Sequence, residues 1–164
     1  MNILDWITKF GFFKFEGKWV NPRSISEIET CEILYLVNSP FYHDDFIETI
    51  NIHNEIEKFK NLKKIIISCK VLKQSLLLKK LKNLEQIQLF NLEITPSELF
   101  EIDTLKDLLL TNCKNLQLRS INMTLNKLSI FDNNINQLTH IVIPKEISFL
   151  MNLEIIELEY HYQK

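Results

Sequence analysis

Three groups of residues in this 164-residue chain have side chains that could do chemistry. His43-Asp44-Asp45 sets an imidazole beside two carboxylates, a donor set for a divalent metal. Adjacent residues rarely converge on one ion, so a solvated loop or a helix start is the better reading of that tripeptide. Cys113 and His140 would make a thiol–imidazole pair if the fold brought them together, the arrangement that activates a cysteine nucleophile. Nothing in the sequence supplies a third group to orient the base, and a buried structural cysteine suits position 113 better. His53 and His161 stand alone. The three cysteines, Cys31, Cys69 and Cys113, are odd in number, widely spaced and free of any C-x-x-C pair. They indicate neither a zinc knuckle nor a disulfide framework, and fit reduced, buried thiols in a cytoplasmic protein. Only two glycines are present, Gly11 and Gly17, so the turns that cradle phosphates or dinucleotides have no raw material. The expectation is a protein that is not an enzyme and needs no metal or cofactor.

Charge is the next clue. The chain carries a net charge of -2 with a pI near 6.1, which demands neither nucleic acid nor membrane. Its distribution is uneven. Between Ser24 and Glu57 there are eight acidic residues and no lysine or arginine, and between Lys58 and Lys82 nine lysines and no acid. Such segregation steers association, or else the acidic segment packs beside the basic one and neutralises it locally. A nucleic-acid partner is disfavoured, because the run offers lysine without arginine and only Phe59 for base stacking. Met1-Asn-Ile-Leu-Asp-Trp-Ile carries Asp5 and lacks a basic start, so no signal peptide is expected. No stretch is long and apolar enough for a membrane span.

The elements that position these residues follow from hydrophobic spacing. Ile3, Leu4, Trp6, Ile7 and Phe10 share one helical face, and Phe12, Phe13, Phe15, Trp19 and Val20 around Glu16-Gly17 indicate a hairpin. Together, residues 1–23 read as an aromatic-rich cap. Cys31–Leu36 reads as a strand. Ile47-x-x-Ile50-x-Ile52 fits either a very short repeat or, preferably, a helix beginning near Asp44 or Asp45 and running to Phe59. From residue 59 a signature recurs: Leu62-x-x-Ile65-x-Ile67, Leu84-x-x-Ile87-x-Leu89, Leu105-x-x-Leu108-x-Leu110, Leu125-x-x-Leu128-x-Ile130 and Leu153-x-x-Ile156-x-Leu158. Its central anchors lie 22, 21, 20 and 28 residues apart, a period that means stacked coils. Helical spacing over Val71–Leu81 predicts a helix after the first strand. Thr95-Pro-Ser-Glu98 reads as a capping box with Thr95 as N-cap, opening a helix over 96–103 after a strand at 86–90.

Leu125-Asn-Lys-Leu128-Ser-Ile130-Phe-Asp-Asn133-Asn-Ile135-Asn-Gln-Leu138 resembles the consensus of the leucine-rich repeat family. The run from Ile143 to Leu158 resembles the family's I-P-x-E-I-x-x-L-x-x-L-x-x-L-x-L form, with about five residues inserted around Thr139–Ile143 as a possible extra strand. The resemblance implies that Asn133, and Cys113 at the equivalent place, hydrogen-bond the backbone of neighbouring coils. Lys70 and Leu92 occupy that place earlier, which leaves the ladder incomplete. It also implies an α/β solenoid with a parallel sheet on the concave face, helices or turns on the convex face and an N-terminal cap. The chain then reads as one domain, with cap and irregular coils over 1–58 and repeats over 59–164. A small intracellular protein, from a bacterium by its asparagine-, isoleucine- and lysine-rich composition, fits this picture.

Residues alternating with the anchors face outward. They form one row of Ile66, Gln88, Leu109, Ser129 and Glu157, with Val142 outlying, and another of Ser68, Phe90, Thr111, Phe131 and Glu159. A third holds Lys64, Gln86, Asp107, Lys127 and Ile155. Large apolar groups such as Phe90, Leu109 and Phe131 on a sheet face mark a protein-binding patch, unless the N-terminal segment or a second copy covers them. The expected function is binding of another protein through Ile66, Gln88, Phe90, Leu109, Thr111, Ser129, Phe131, Glu157 and Glu159. The alternatives are an immunity-type inhibitor of a toxin or enzyme, a self-associating subunit (a homodimer), and a lysine-driven nucleic-acid binder.

Overall fold

The computed structural model describes residues 1–15, 18–37, 47–115, 124–132 and 152–160. Helix α1 (Ile3–Phe10) is capped by Asn2, whose Oδ1 accepts the Asp5 N–H at 2.9 Å. It buries Ile3, Trp6 and Ile7, with Leu4 and Phe10 packed partly against the same core. The Trp6 indole N–H donates to the Asn51 carbonyl at 2.8 Å and pins the helix to a distant strand end. Strands β1 (Phe12–Phe15) and β2 (Lys18–Val20) form the expected hairpin; its turn at Glu16-Gly17 lies outside the described residues. A Cβ added at Gly11 would sit 2.5 Å from the Tyr35 carbonyl oxygen and 2.7 Å from Leu36 Cδ2, so only glycine lets the hairpin leave α1 this close to the sheet.

Helix α2 (Ile25–Thr30) has a sequence signal not read above. Ser24 Oγ accepts the Glu27 N–H at 3.3 Å, and Glu27 reaches back to accept the Arg23 N–H at 2.6 Å. The pair Ser24-x-x-Glu27 thus works much as a capping box does. Strand β3 (Ile33–Leu36) follows, and then the repeating coils with β5 (Lys64–Lys73), β6 (Gln86–Phe90), β7 (Asp107–Thr111), β8 (Lys127–Asp132) and β9 (Ile155–Tyr160). The main sheet runs β2-β1-β3-β5-β6-β7-β8-β9, antiparallel through the hairpin and parallel from β3 onward. The architecture is an α/β repeat solenoid of leucine-rich-repeat type.

The anchors fall into register as their spacing required. Ile65 pairs with Ile87, Ile87 with Leu108, Leu108 with Leu128 and Leu128 with Ile156. Those of β3, β5, β6, β7 and β8 are 0–5 % exposed. Each such side chain contributes roughly 1.5–3 kcal/mol by leaving water. A second periodic device ties coil to coil. The residue before each first anchor bonds the preceding coil's backbone: Asn61 Nδ2 to Glu29 O (2.7 Å), Asn83 Nδ2 to Lys60 O (2.7 Å), Thr104 Oγ1 to Leu84 O (2.6 Å) and Thr124 Oγ1 to Leu105 O (2.9 Å). Beside it, single carbonyls of Glu32, Lys63, Glu85, Lys106 and Asn126 each accept two consecutive amides from the next coil.

Three expectations need correction. Ile47–Asn51 is strand β4, not part of a helix from Asp44 or Asp45, and only Ile56–Lys58 makes a 3-10 turn before Phe59. The anchor spacing there is real, with Ile50 and Ile52 buried, but β4 pairs in parallel with Cys69–Lys73 outside the main sheet. That pairing extends β5 to Lys73, so Val71–Leu81 is strand followed by a 3-10 helix at Ser75–Lys80. The third segment is 3-10 over Ser97–Glu101, preceded by Pro96 without a capping side chain. Thr95 is buried and its hydroxyl donates to the Lys114 carbonyl at 3.1 Å instead. A coil of about 20 residues that spends five on a strand and more on two reversals leaves the far side too short for a stable α-helix, and 3-10 turns with ≈ 2.0 Å rise fit it. Asn133, His140, Thr139–Ile143 and His43-Asp44-Asp45 lie outside the described residues.

Candidate functional site

The outward-facing rows are laid down by strand register. Tyr35, Ile66, Gln88, Leu109, Ser129 and Glu157 occupy successive strands of one row. Ser68, Phe90, Thr111, Phe131 and Glu159 form the next, and Ile33, Lys64, Gln86, Asp107, Lys127 and Ile155 the third. Neighbouring strands stand ≈ 4.8 Å apart, which places Phe90 and Phe131 roughly 10 Å from each other with Thr111 between them. The two rings are walls and the threonine is a low saddle.

Burial divides the face. Ile66 and Ser129 are 5 % and 3 % exposed, and Ser68 is fully buried, so these side chains make the floor. Gln88, Phe90, Leu109, Thr111, Phe131 and Glu157 are half-buried and offer their remaining surface outward. Tyr35 is half-buried at the β3 end, where burial pushes its phenol above the ordinary value. The middle of the face is a shallow open groove lined by Gln86, Gln88, Asp107, Leu109, Ser129 and Phe131, among others.

Its polar groups are already organised. Gln86 Nε2 donates to Asp107 Oδ2 at 3.0 Å. Lys127 Nζ donates to Glu157 Oε1 at 2.8 Å, and Ser129 Oγ donates to Glu157 Oε2 at 2.8 Å. The Lys127 hydrogen bond, then that of Ser129, holds the Glu157 carboxyl below its ordinary range. The groove therefore presents a hydrogen-bonded polar half with one net negative charge beside an apolar half. Fixed side chains lose little entropy when a partner arrives.

A polar ladder along the top of this face escaped the sequence reading. Asn91 and Asn112 follow β6 and β7 with φ of 65° and 53°, a left-handed conformation rare outside glycine and asparagine. Asn91 Nδ2 donates to Ser68 Oγ at 3.3 Å and Asn112 Nδ2 to Asn91 Oδ1 at 3.3 Å, while their amides bond the Thr111 and Phe131 carbonyls. The signal was legible: asparagine falls two residues after the last anchor in successive coils of a chain almost without glycine. Cys113 takes the place expected for it, its thiol donating to the Leu89 and Thr111 carbonyls at 3.4 Å. Leu92 is simply buried.

Cys31 and Cys69 are buried, Cys113 is half-buried, and all three are free. Burial pushes the thiols up to about 12, 12 and 11, which keeps them protonated and unreactive. His53 is structural: its Nδ1 accepts the Glu55 N–H at 3.2 Å while Nε2 lies 3.1 Å from the Met1 carbonyl. No group of three metal-ligating side chains occurs among the described residues. None of the described helices is long and apolar enough to cross a membrane.

The segregated charges cancel locally. Lys58, Lys60, Lys63, Lys70 and Lys80 meet Glu55, Glu29, Glu32, Glu48 and Glu57 at 2.7–3.2 Å, and Lys79 meets Glu101. Five of the nine lysines of the basic run are thus paired with the acidic segment.

Fold and face together define a leucine-rich-repeat-type solenoid with a preformed outward sheet surface. No protein-family model matches the chain, and no curated protein matches it by sequence. Among solved structures it is similar to internalin C2 from Listeria monocytogenes str. 4b F2365, at 11 % identity and a TM-score of 0.41, over 87 % of this chain and 86 % of that one. The fold stands on the register and burial of the anchors rather than on that likeness.

Proposed function

We propose that this chain is a non-enzymatic, cytoplasmic interaction module that binds another protein through its concave sheet face. The observation that carries the reading is the half-exposed apolar set Phe90, Leu109 and Phe131, held in register on a rigid sheet beside the hydrogen-bonded Gln86, Asp107, Ser129 and Glu157. A partner's bulky apolar side chain fits the saddle over Thr111, with polar contacts toward Gln88 and Glu157. Ile66 and Ser129 support the contact from below, and Glu159 extends the row by its backbone position. Residues 1–58 act as cap and first coils of the same domain.

The test compares wild type with Phe131→Glu in affinity capture from lysate of the native cell, with thermal unfolding of both. Retention of one protein by wild type alone, at matched stability, supports the reading. Equal retention by both removes the face from the interaction. Self-association is the second reading, favoured by Ile155, Ile156 and Leu158 of β9, which are 45 %, 48 % and 42 % exposed. Light scattering separates it: a dimer disrupted by Ile156→Glu would transfer the proposal to that edge.

A further inference from the structure

Strand β5 is twice as long as β6 or β7, and its second half belongs to a different surface. Lys64–Ser68 lies in the main sheet, flanked by β3 and β6. Beyond Ser68, β6 departs: Asn91 turns left-handed, and the last backbone bond toward β5 runs from the Glu93 N–H to the Lys70 carbonyl at 3.0 Å. On its other side β5 still holds β4 as far as Lys73, whose carbonyl accepts the Ile52 N–H at 3.0 Å. Successive residues of a strand point their N–H and C=O to opposite edges. Lys70 addresses the β6 side and Lys73 the β4 side, so Leu72 addresses the side that β6 has left.

A groove of about 390 Å³ opens there. Val71, Leu72 and Gln74 form one bank, and Ile94, 63 % exposed, stands on the other with Glu93 and Glu98. Backbone groups on an uncovered strand edge are satisfied best by another extended backbone. The apolar surface of Ile94 and Val71 calls for an aliphatic side chain. Lys70, on the same groove, is ion-paired to Glu48 and offsets Glu93, so the remaining negative charge, chiefly at Glu98, calls for a cationic one.

We propose that this groove binds an extended peptide segment as a further strand beside Leu72, with a branched aliphatic residue against Ile94 and a basic residue toward Glu98. This site is separate from the concave face and does not rest on its assignment.

The experiment selects displayed heptapeptides on the intact protein and measures the enriched sequences as synthetic peptides. Binding at least tenfold weaker to Ile94→Glu, unchanged for Phe131→Glu, and accompanied by slowed amide exchange at Leu72, supports the proposal. N-methylation of the peptide's central backbone nitrogen should weaken binding by a similar factor, which tests strand pairing without altering the protein. No enrichment, or peptides that bind Ile94→Glu as tightly as wild type, would overturn it. Enriched peptides that protect the concave-face amides instead of Leu72 would overturn it equally, while favouring the other site.

Discussion

Replacing Asn91 separates two roles that its side chain and backbone play at once. In wild type its amide donates to Ser68 Oγ and its Oδ1 accepts from Asn112, both at 3.3 Å, while φ is 65°. Alanine removes both bonds, each worth about 0.5–1.5 kcal/mol. The left-handed strain of a Cβ, about 1–2 kcal/mol, is borne by asparagine and alanine alike, and only glycine is free of it. Asn91→Ala should therefore cost roughly 1–3 kcal/mol of folding free energy, from the two lost bonds. Glycine loses the same bonds but escapes the Cβ penalty, so Asn91→Gly should be the more stable variant by about 1 kcal/mol after its extra chain entropy is counted. Urea unfolding of the three proteins, with slopes compared, reads both numbers. If the glycine variant is as unstable as the alanine variant, the left-handed turn is not why asparagine stands there. If neither differs from wild type, the ladder contributes nothing.

Leu108→Ala removes a side chain 1 % exposed from the middle of the anchor stack, and should cost about 2–5 kcal/mol in the same unfolding assay. The Glu157 carboxyl should titrate below the ordinary glutamate range in a carbon-detected NMR titration, and Lys127→Met should raise its midpoint. Because the folded value is the depressed one, the stability this carboxylate adds is present above its unfolded pKa and lost as pH falls through the folded value. The three thiols should resist alkylation at pH 8 in the native protein and react on unfolding, since burial holds their values at about 11–12; fast native labelling of Cys69 would contradict its placement.

What the chain spells out locally is the anchor pattern. Leu-x-x-Leu-x-Leu fixes which residues turn inward from β5 to β8, and the strand register as far as Ile156 was legible from it, but at β9 the anchors Ile156 and Leu158 are 48 % and 42 % exposed instead of buried. The same pattern at Ile47–Ile52 was true of burial but silent about pairing. Whether it stacked as a coil or left the sheet depended on the second half of β5, a contact no local period encodes. The helices failed for a related reason. Apolar spacing at Leu72, Leu76, Leu77 and Leu81 resembles a helical face, but the strand partner claims Leu72, and the 3-10 turn leaves Leu76 51 % exposed and buries Leu78. Thr95 carries a cap's side chain, yet the neighbouring coil's carbonyl competes for its hydroxyl and wins. Charge segregation was readable as composition, and of its two meanings the structure shows mutual neutralisation.

The carbonyls that each accept two amides line up Glu32, Lys63, Glu85 and Lys106 along one edge, where Lys63 meets Glu32 and Lys106 meets Glu85. Signs along this edge alternate, which gives the array a parity. Excising one coil would bring Glu32 beside Glu85, whereas excising two would set Glu32 beside Lys106 and restore attraction. Each pair is weak, at most about 1 kcal/mol, and the hydrophobic anchors are nearly interchangeable between coils. Alternation of this kind sets a small penalty against skipping a single coil, up to the neutral Asn126 that ends the series.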